Sequence, residues 1–362
     1  DTAGVTIHAI DAGLDTGAIL AQRAVQVAPF ATVAGLLAEL DLVASEVLAA
    51  TECRLAAGTV ERRGQGQATT PTRGRPPFLL ARGLYRRLRR RRSRTGPREW
   101  LKNCVFFAYA RILAPLRNRL RATRGGCHTT ILLYHRISDR WLDAVTAGVE
   151  QFDRQLELLR SRYEVLDLAE YLRRRGEPCR RPRVVLTFDD GYADNHLAAM
   201  LLRRAGLPCT FFISTSIVGS DRGFEHDLNK LRQVVPALSW DQVRQMADRG
   251  FGFGNHTRHH SDLGSLPVDE ALSEVRLASA KLVQELGARG GERWLAFPFG
   301  RRKNMTPELR AKLDDAGIDH CLSAFGGVNP PDFDPLDIRR EGVSSGVSDA
   351  GLLALVEGWG AR

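Results

Sequence analysis

From Thr129 onward, short apolar runs alternate with longer segments in which charged and apolar residues recur at helical spacing. Short apolar runs are typical of buried strands, and apolar positions three or four residues apart indicate helices. This alternation predicts a parallel α/β domain, either a barrel or an open sheet. The predicted strands are 131–135, 184–188 and 209–213, and the predicted helices are 151–162, 193–205, 240–249 and 267–286.

The first 70 residues have a different composition, being rich in Ala, Val and Leu and weakly charged. Their pattern predicts a short strand over 4–10 and a helix over 32–56. A Pro- and Gly-containing spacer follows at about residue 71. We therefore predict three parts: an N-terminal part over 1–70, a linker over 71–127 and the α/β domain over 128–350.

The linker is strongly basic. Between Arg82 and Arg124 it has 14 Arg and one Lys against a single acid, Glu99. The net charge of this segment, +14, therefore exceeds the net charge of the whole chain, +10. Its apolar stretch 104–116 is too short to span a bilayer. It suits either a solvated linker whose helix packs on a neighbouring domain or an interfacial helix on anionic lipid. No nucleic-acid motif accompanies the charge, so nucleic acid is not an expected partner.

The sequence limits the cellular compartment of the protein only loosely. Six cysteines without a CxxC pair exclude a zinc ribbon or a redox motif. Reduced thiols are the simplest expectation, with disulfides between distant positions left open. Because the chain begins at Asp1, we expect the native N-terminus to lie upstream, where a signal segment could be present. The expected localisation is cytoplasmic or membrane-associated.

Two adjacent carboxylates, Asp189 and Asp190, follow the predicted strand 184–188 and precede Gly191. Residues just past the carboxyl end of a parallel strand lie where ligands bind. Two acids this close resist ionising together unless a cation or a base-like role separates their pKa values. Taken alone, however, DDG is explained equally well by a surface turn.

A pair of histidines supplies the second candidate group. His256 and His260 are four residues apart, close enough for both imidazoles to reach one metal ion such as zinc. With Asp190 they would form a two-His, one-carboxylate site with open positions, as catalytic metals require. His259, between them, is expected to face elsewhere. A third motif, LAFPFG (295–300), indicates by itself only a strand and a turn.

Together, TFDDGYADN, HTRHHSDL and FPFG resemble the polysaccharide deacetylases, the NodB-homology or carbohydrate esterase group, over about residues 128–345. The resemblance implies a distorted (β/α) barrel and a metal-dependent hydrolase. Its substrate would be the N-acetylated amino-sugar units of a polysaccharide or glycolipid. Asp190, His256 and His260 would bind a divalent metal, with zinc expected.

The same resemblance implies roles for other residues. Asp189 would be the general base that takes a proton from water. A backbone N–H at Phe299, beside Pro298, would hold the oxyanion, and a protonated His would donate to the leaving amine.

Two departures from the family pattern stand out. An Arg that steadies the base in many members is replaced by Ala296, and Arg340 is our candidate substitute, with a structural salt bridge as the alternative. The late Leu-x-His motif is absent, but some members carry the acid on the first strand as YH. His135 is therefore our candidate acid, the alternative being a buried His that orients the first strand.

Residues 4–22 resemble the end of a formyltransferase that uses formyl-tetrahydrofolate, with Asp15 at the position of its catalytic acid. The partner Asn and His are absent, so this part is expected to be inactive as it stands. The combination raises an alternative function, deformylation of a lipid-linked N-formyl amino sugar. A further alternative, motivated by Ala296, is an inactive carbohydrate-binding module.

Overall fold

The computed structural model describes most of the chain from Pro97 onward and little before it. The described residues are 2–8, 19–26, single positions between 47 and 59, 97–114, 116–117, 128–139, 143, 145–179, 181–231 and 234–359. The chain divides into two compact units, Asp1–Gly96 and Pro97–Arg362.

The first unit contains an antiparallel strand pair, β1 (Thr2–His8) and β2 (Ile19–Gln26). β1 overlaps the predicted strand 4–10. Most of the predicted helix 32–56 and the formyltransferase-like residues between the two strands, Asp15 among them, lie outside the described residues. The formyltransferase resemblance stays a prediction.

The second unit confirms the predicted alternation of strands and helices. Each predicted strand and helix in the α/β domain is present to within two residues. The strands are β3 (Thr129–Tyr134), β4 (Arg136–Ile137), β5 (Thr146–Ala147), β6 (Glu164–Leu166), β7 (Arg183–Phe188), β8 (Thr210–Ile213), β9 (Gly252–Asn255), β10 (Trp294–Ala296), β11 (His320–Leu322) and β12 (Arg340–Gly342). The helices are α1 (Pro97–Ala108), α2 (Val149–Arg162), α3 (Leu168–Arg173), α4 (Asn195–Ala205), α5 (Glu225–Leu231), α6 (Trp240–Asp248), α7 (Val268–Leu286), α8 (Pro307–Ala311) and α9 (Asp349–Val356).

Eight of these strands form one parallel sheet in the order β11-β10-β9-β8-β7-β3-β12, with β6 also paired to β7. β6 pairs with the first half of β7, whereas β8 pairs with its end. A parallel bridge from Leu322 to Ile338, just before β12, links the two edges of the sheet. The sheet is therefore nearly closed into a distorted (β/α) barrel, as expected. Parallel strands place their carboxyl ends at one rim, which is where the site is built.

Buried apolar side chains fill the space between the strands and the surrounding helices. β3 and β7 are buried along their whole length, which explains why both appear in the sequence as continuous apolar runs. The aromatic rings of Tyr134, Phe188 and Phe211 stack with centroids 5.3 and 5.1 Å apart. The rims of these central strands are held rigidly by this packing.

Helix α1 continues into a π-helical turn, Tyr109–Leu113, and packs on α9 within the second unit. The second unit therefore includes a helix that the sequence assigns to the linker. No helix among the described residues is long and apolar enough to cross a bilayer.

The cysteines depart in part from the reduced state expected. Cys104, Cys209 and Cys321 are free thiols. Cys179 is disulfide-bonded, so the reduced-thiol expectation is wrong at this position.

Candidate active site and metal centre

Asp190, His256 and His260 converge at the carboxyl rim of the barrel. Asp190 follows β7, and both histidines lie in the loop after β9. Oδ1 of Asp190 lies 3.1 Å from Nε2 of His256 and 3.1 Å from Nε2 of His260. The three ligand atoms all lie within 4.8 Å of one another. The loops thus bring together the three residues that the sequence selected.

The backbone at this rim is strained. Among the described residues, positive φ angles at non-glycine positions occur at Asp190 (75°), Thr257 (64°), His260 (61°) and Phe299 (62°). All four lie in the three sequence motifs. Such conformations are costly, above all for the β-branched Thr257, and persist where surrounding structure enforces them. A hydrogen bond from the Thr257 N–H to Asn255 Oδ1, 2.7 Å, provides part of that constraint.

The ring of His256 is held in one orientation. Its Nδ1–H donates to the carbonyl oxygen of Ala296, with the two atoms 2.5 Å apart. The Ser214 hydroxyl donates to the His256 carbonyl oxygen at 2.9 Å. In this tautomer Nε2 carries a lone pair that points toward Asp190, as an imidazole ligand of a metal requires.

These contacts test whether the residues fit a divalent cation. Oδ1 of Asp190 is buried and has no hydrogen-bond donor in suitable geometry, although two imidazole nitrogens lie close to it. Burial would raise the pKa of Asp190, but His260 and His256 hold it well below its usual range. A buried carboxylate facing two imidazole nitrogens is a donor set that zinc and similar ions bind. The residues fit the ion.

Asp189, the neighbouring carboxylate, has different surroundings. Arg340 on β12 reaches it with two parallel hydrogen bonds, Nη1 to Oδ1 at 2.6 Å and Nη2 to Oδ2 at 2.7 Å. Arg340 is fully buried and also donates from Nε to the Ser323 carbonyl oxygen at 2.8 Å. Burial would raise the pKa of Asp189, but the Arg340 and His256 charges lower it. A buried bidentate pair of this kind fixes the carboxylate in its ionised form.

The contact between Arg340 and Asp189 bears on the presence of Ala296 where many family members have an Arg. The side chain of Ala296 is buried and cannot pair with an acid, but its carbonyl oxygen orients His256. Arg340, from the opposite edge of the sheet, supplies the guanidinium instead. The geometry shows a direct contact with the candidate base.

His135 directly follows β3 and lies in the same site. Burial lowers its pKa; Asp190 and Asp189 act in the opposite direction, and Arg340 and His256 lower the pKa further. Its backbone carbonyl accepts a hydrogen bond from Asn195 Nδ2 at 2.7 Å. The net effect lowers the pKa of His135, which makes its imidazolium form a better proton donor than that of an exposed histidine.

The FPFG turn forms one wall of the site. Pro298 is buried, whereas the Phe299 side chain is 49% exposed and lies against His260, with ring centroids 5.0 Å apart. The turn packs closely: a Cβ on Gly300 would lie 2.4 Å from the Ala324 Cβ. An exposed aromatic ring beside the candidate metal ligands offers an apolar surface to a substrate.

His259 turns away from the centre, as expected, and its Nδ1 lies 2.7 Å from Oε1 of Glu274.

Sequence reasoning missed three residues near the site. The His226 ring, on α5, lies 4.9 Å from the His260 ring, centroid to centroid. Tyr192 donates its hydroxyl to Asp227 Oδ2 at 2.7 Å and lies 3.1 Å from His226 Nε2. The only sequence signal was Tyr192 inside the DDGY motif, because His226 and Asp227 belong to no recognisable spacing.

Comparisons with known proteins agree with this geometry. Residues 176–319, which include all three metal-ligand candidates, match the family Polysaccharide deacetylase. This stretch of the chain is similar to the polysaccharide deacetylases. The similarity supports a carbohydrate deacetylase, a hydrolase acting on amide bonds.

Individual relatives are more distant. The chain is 25% identical over 235 residues to the Bacillus subtilis protein YxkH, whose name places it among the polysaccharide deacetylases; this covers 63% of the chain and 75% of the relative. Among solved structures, the Streptococcus pyogenes deacetylase PplD matches with a TM-score of 0.53 and 21% identity, over 63% of this chain and 98% of that one. IcaB from Ammonifex degensii matches with a TM-score of 0.53 and 24% identity, over 64% and 97%. These two structures support the fold of the α/β domain.

Proposed function

We propose that the domain removes N-acetyl groups from amino-sugar units of a polysaccharide in a hydrolysis that depends on a divalent metal. The observation that carries the proposal is the pairing of two neighbouring carboxylates with different partners. Asp190 lies 3.1 Å from two imidazole nitrogens, whereas Asp189 is bound by Arg340. One carboxylate is thereby suited to a metal and the other to proton transfer.

Asp190, His256 and His260 would hold the ion. When bound, it supplies Lewis-acid polarisation of the acyl carbonyl and acidifies water. The hydrogen bond from His256 Nδ1 to the Ala296 carbonyl turns Nε2 toward Asp190, and the backbone at His260 positions the second imidazole.

Asp189 acts as the general base. Its bidentate contact with Arg340 keeps it ionised and fixes its orientation, so that it takes a proton from the attacking water at the acyl carbon. Arg340 itself does not touch the substrate and is a positioning residue.

His135 acts as the general acid. Burial lowers its pKa, which makes its imidazolium form an effective donor to the leaving amine nitrogen. The backbone N–H of Phe299 donates to the oxyanion of the tetrahedral intermediate, and the exposed Phe299 ring packs on the sugar.

The deciding experiment measures acetate released from N-acetylglucosamine oligomers by the full chain, before and after treatment with a chelator and after zinc is restored. We expect release that is lost with the metal and recovered on its return. Release unaffected by complete metal removal would contradict the metal-dependent mechanism.

Formate release from N-formylated amino sugars, measured in parallel, separates the alternative activity. Deformylation of a lipid-linked sugar rests on the formyltransferase-like sequence at 4–22. Formate release exceeding acetate release on matched sugars would favour it. The inactive-module alternative loses its motivation, because Arg340 contacts Asp189 in place of the missing Arg.

A further inference from the structure

Helix α1 and the turn that continues it expose a row of large apolar side chains. The exposed fractions are 61% for Trp100, 59% for Leu101, 60% for Ile112, 60% for Leu113 and 56% for Leu116. Single exposed apolar residues need no explanation, but several along one helix and its continuation mark an interaction surface.

The opposite face of the same helix is already buried against the barrel. Phe106 and Tyr109 contact the Trp359 ring at centroid distances of 5.4 and 4.7 Å. Ser348, at the start of α9, donates a hydrogen bond to Asn103 Oδ1 at 2.6 Å. A surface helix ordinarily exposes polar residues to solvent. A helix with apolar side chains on its exposed face as well is expected to bind a second surface there.

The charges on this helix, and in the sequence that precedes it, indicate what covers its apolar face. Arg98, Lys102 and Arg111 lie on the helix, and Glu99 is its only acid. The sequence just before it, 86–94, reads RRLRRRRSR. An apolar face flanked by basic residues complements the interface of a bilayer that contains anionic lipids.

A cavity of about 380 Å³ adjoins this face and is lined by three arginines, Arg111, Arg162 and Arg181, together with Ser161. Within the described part of the chain, none of these arginines forms an ion pair or a hydrogen bond. The one acid in the lining, Glu357, accepts the Tyr163 hydroxyl at 3.0 Å. The cavity is therefore a cationic cleft beside an apolar surface. The π-helical turn that contributes Arg111 is itself a feature common at functional sites.

We propose that residues 97–116 dock the protein on an anionic lipid surface, and that the cleft of Arg111, Arg162 and Arg181 receives a lipid phosphate. The apolar side chains enter the headgroup boundary while the guanidinium groups pair with phosphate oxygens. This inference does not depend on the proposed hydrolysis.

The cleft lies at the opposite rim of the barrel from the active site. Tyr163 and Pro182 in its wall immediately precede β6 and β7, whereas Asp189 and Asp190 follow β7. Lipid bound at the cleft therefore leaves the active site uncovered.

The test is vesicle flotation of the full chain with phosphatidylcholine, with and without phosphatidylglycerol. An apolar-face variant, Ile112→Glu with Leu113→Glu, is compared with Val283→Glu, another exposed apolar position (47%), on α7. A cleft variant, Arg162→Gln with Arg181→Gln, is compared with Arg249→Gln, at the end of α6. Every variant retains the basic segment 86–94, so its contribution stays constant. Circular dichroism confirms folding.

We expect binding to the anionic vesicles only. The cleft variant should lose roughly tenfold or more in affinity, since each basic residue near such a surface contributes about fivefold. The apolar-face variant should lose at least about tenfold, and the controls should bind as wild type.

Wild-type binding by both designed variants would overturn the proposal and assign any vesicle binding to the basic segment alone. Loss in the apolar-face variant with none in the cleft variant would overturn the phosphate site. Inorganic phosphate, compared with chloride at equal ionic strength, should weaken wild-type binding more than binding by the cleft variant.

Discussion

At the scale of single residues, the site rests on how two adjacent carboxylates are given different surroundings. Asp189 lies against a guanidinium, and Asp190 lies against two imidazoles. Neither pairing follows from the DDG sequence itself, because both partners come from distant strands. The identity of the metal-ligand candidates was predictable from i, i+4 spacing and family resemblance. The sequence left Arg340 as either a support for the base or a structural salt bridge, and the fold shows that its guanidinium contacts Asp189.

Replacing Arg340 by Met should destabilise the metal-free protein by about 3–5 kcal/mol at neutral pH, because it leaves the buried Asp189 charge unpaired. In the wild type the pKa of Asp189 is lower in the folded state than in the unfolded state. Its contribution to the free energy of unfolding is therefore present above its unfolded-state pKa and is lost as the pH falls. Urea unfolding at several pH values, in the presence of a chelator, measures this.

The loss of unfolding free energy caused by Arg340→Met should become smaller at acidic pH, where Asp189 can accept a proton. The double variant Arg340→Met with Asp189→Asn should recover part of the stability at neutral pH. Equal losses at every pH, with no recovery in the double variant, would show that packing rather than the ion pair accounts for the effect.

Asp194, at the start of α4, provides a second pH-dependent test. Burial raises its pKa to about 7, despite hydrogen bonds from the Ile137 N–H and from Asn195. Because its pKa is raised in the folded state, folding binds a proton there, and stability falls as the pH rises from about 4 to 7. Asp194→Asn should therefore flatten the pH dependence of the unfolding free energy over this window, by at most about 4 kcal/mol. An unchanged slope would contradict the assignment; Asp248→Asn, at an exposed position, is the control.

At the scale of elements, the sequence predicted the long helices and the fully buried strands well. β3 and β7 are buried along their whole length and each contains a run of apolar residues, and this makes them recognisable in the sequence. The short strands β10, β11 and β12 have three residues each and carry little periodic signal. Their position is fixed by pairing across the sheet, which a local pattern does not contain. The turns at their ends hold much of the site.

The turn after β7 should be sensitive to a methyl group at Gly191. Its φ is 90°, and a Cβ would lie 2.9 Å from Val218 Cγ2 and 3.0 Å from Ile213 Cγ2. Gly206 ends α4 with a φ of 67° and has open space around it. We expect Gly206→Ala to cost about 1 kcal/mol with activity unchanged. Gly191→Ala should cost more and also lower metal affinity, because Asp190 must shift. Unfolding and zinc titration measure both, and identical behaviour of the two variants would contradict a tightly packed turn.

At the scale of the whole molecule, barrel closure assembles the site. Asp189 and Asp190 follow β7, the histidines follow β9, the FPFG turn follows β10, and Arg340 comes from β12 at the far edge of the sheet. The parallel bridge between Leu322 of β11 and Ile338, just before β12, brings the two edges of the sheet together. Sequence pattern predicted a parallel α/β domain, and family resemblance predicted a barrel. The group of Tyr192, His226 and Asp227 and the disulfide at Cys179 could not be predicted from sequence pattern. Both depend on residues that are distant in the chain lying close together in the fold.

The central claim is that Asp190 holds a metal and Asp189 does not. It is tested most directly by elemental analysis of zinc bound after dialysis to wild type, Asp189→Asn and Asp190→Asn, with acetate release measured on the same samples. We predict about one equivalent for wild type and for Asp189→Asn, with turnover of Asp189→Asn reduced by about 10²–10⁴-fold, and little zinc on Asp190→Asn. Equal zinc on wild type and Asp190→Asn, or unchanged turnover in Asp189→Asn, would contradict the account.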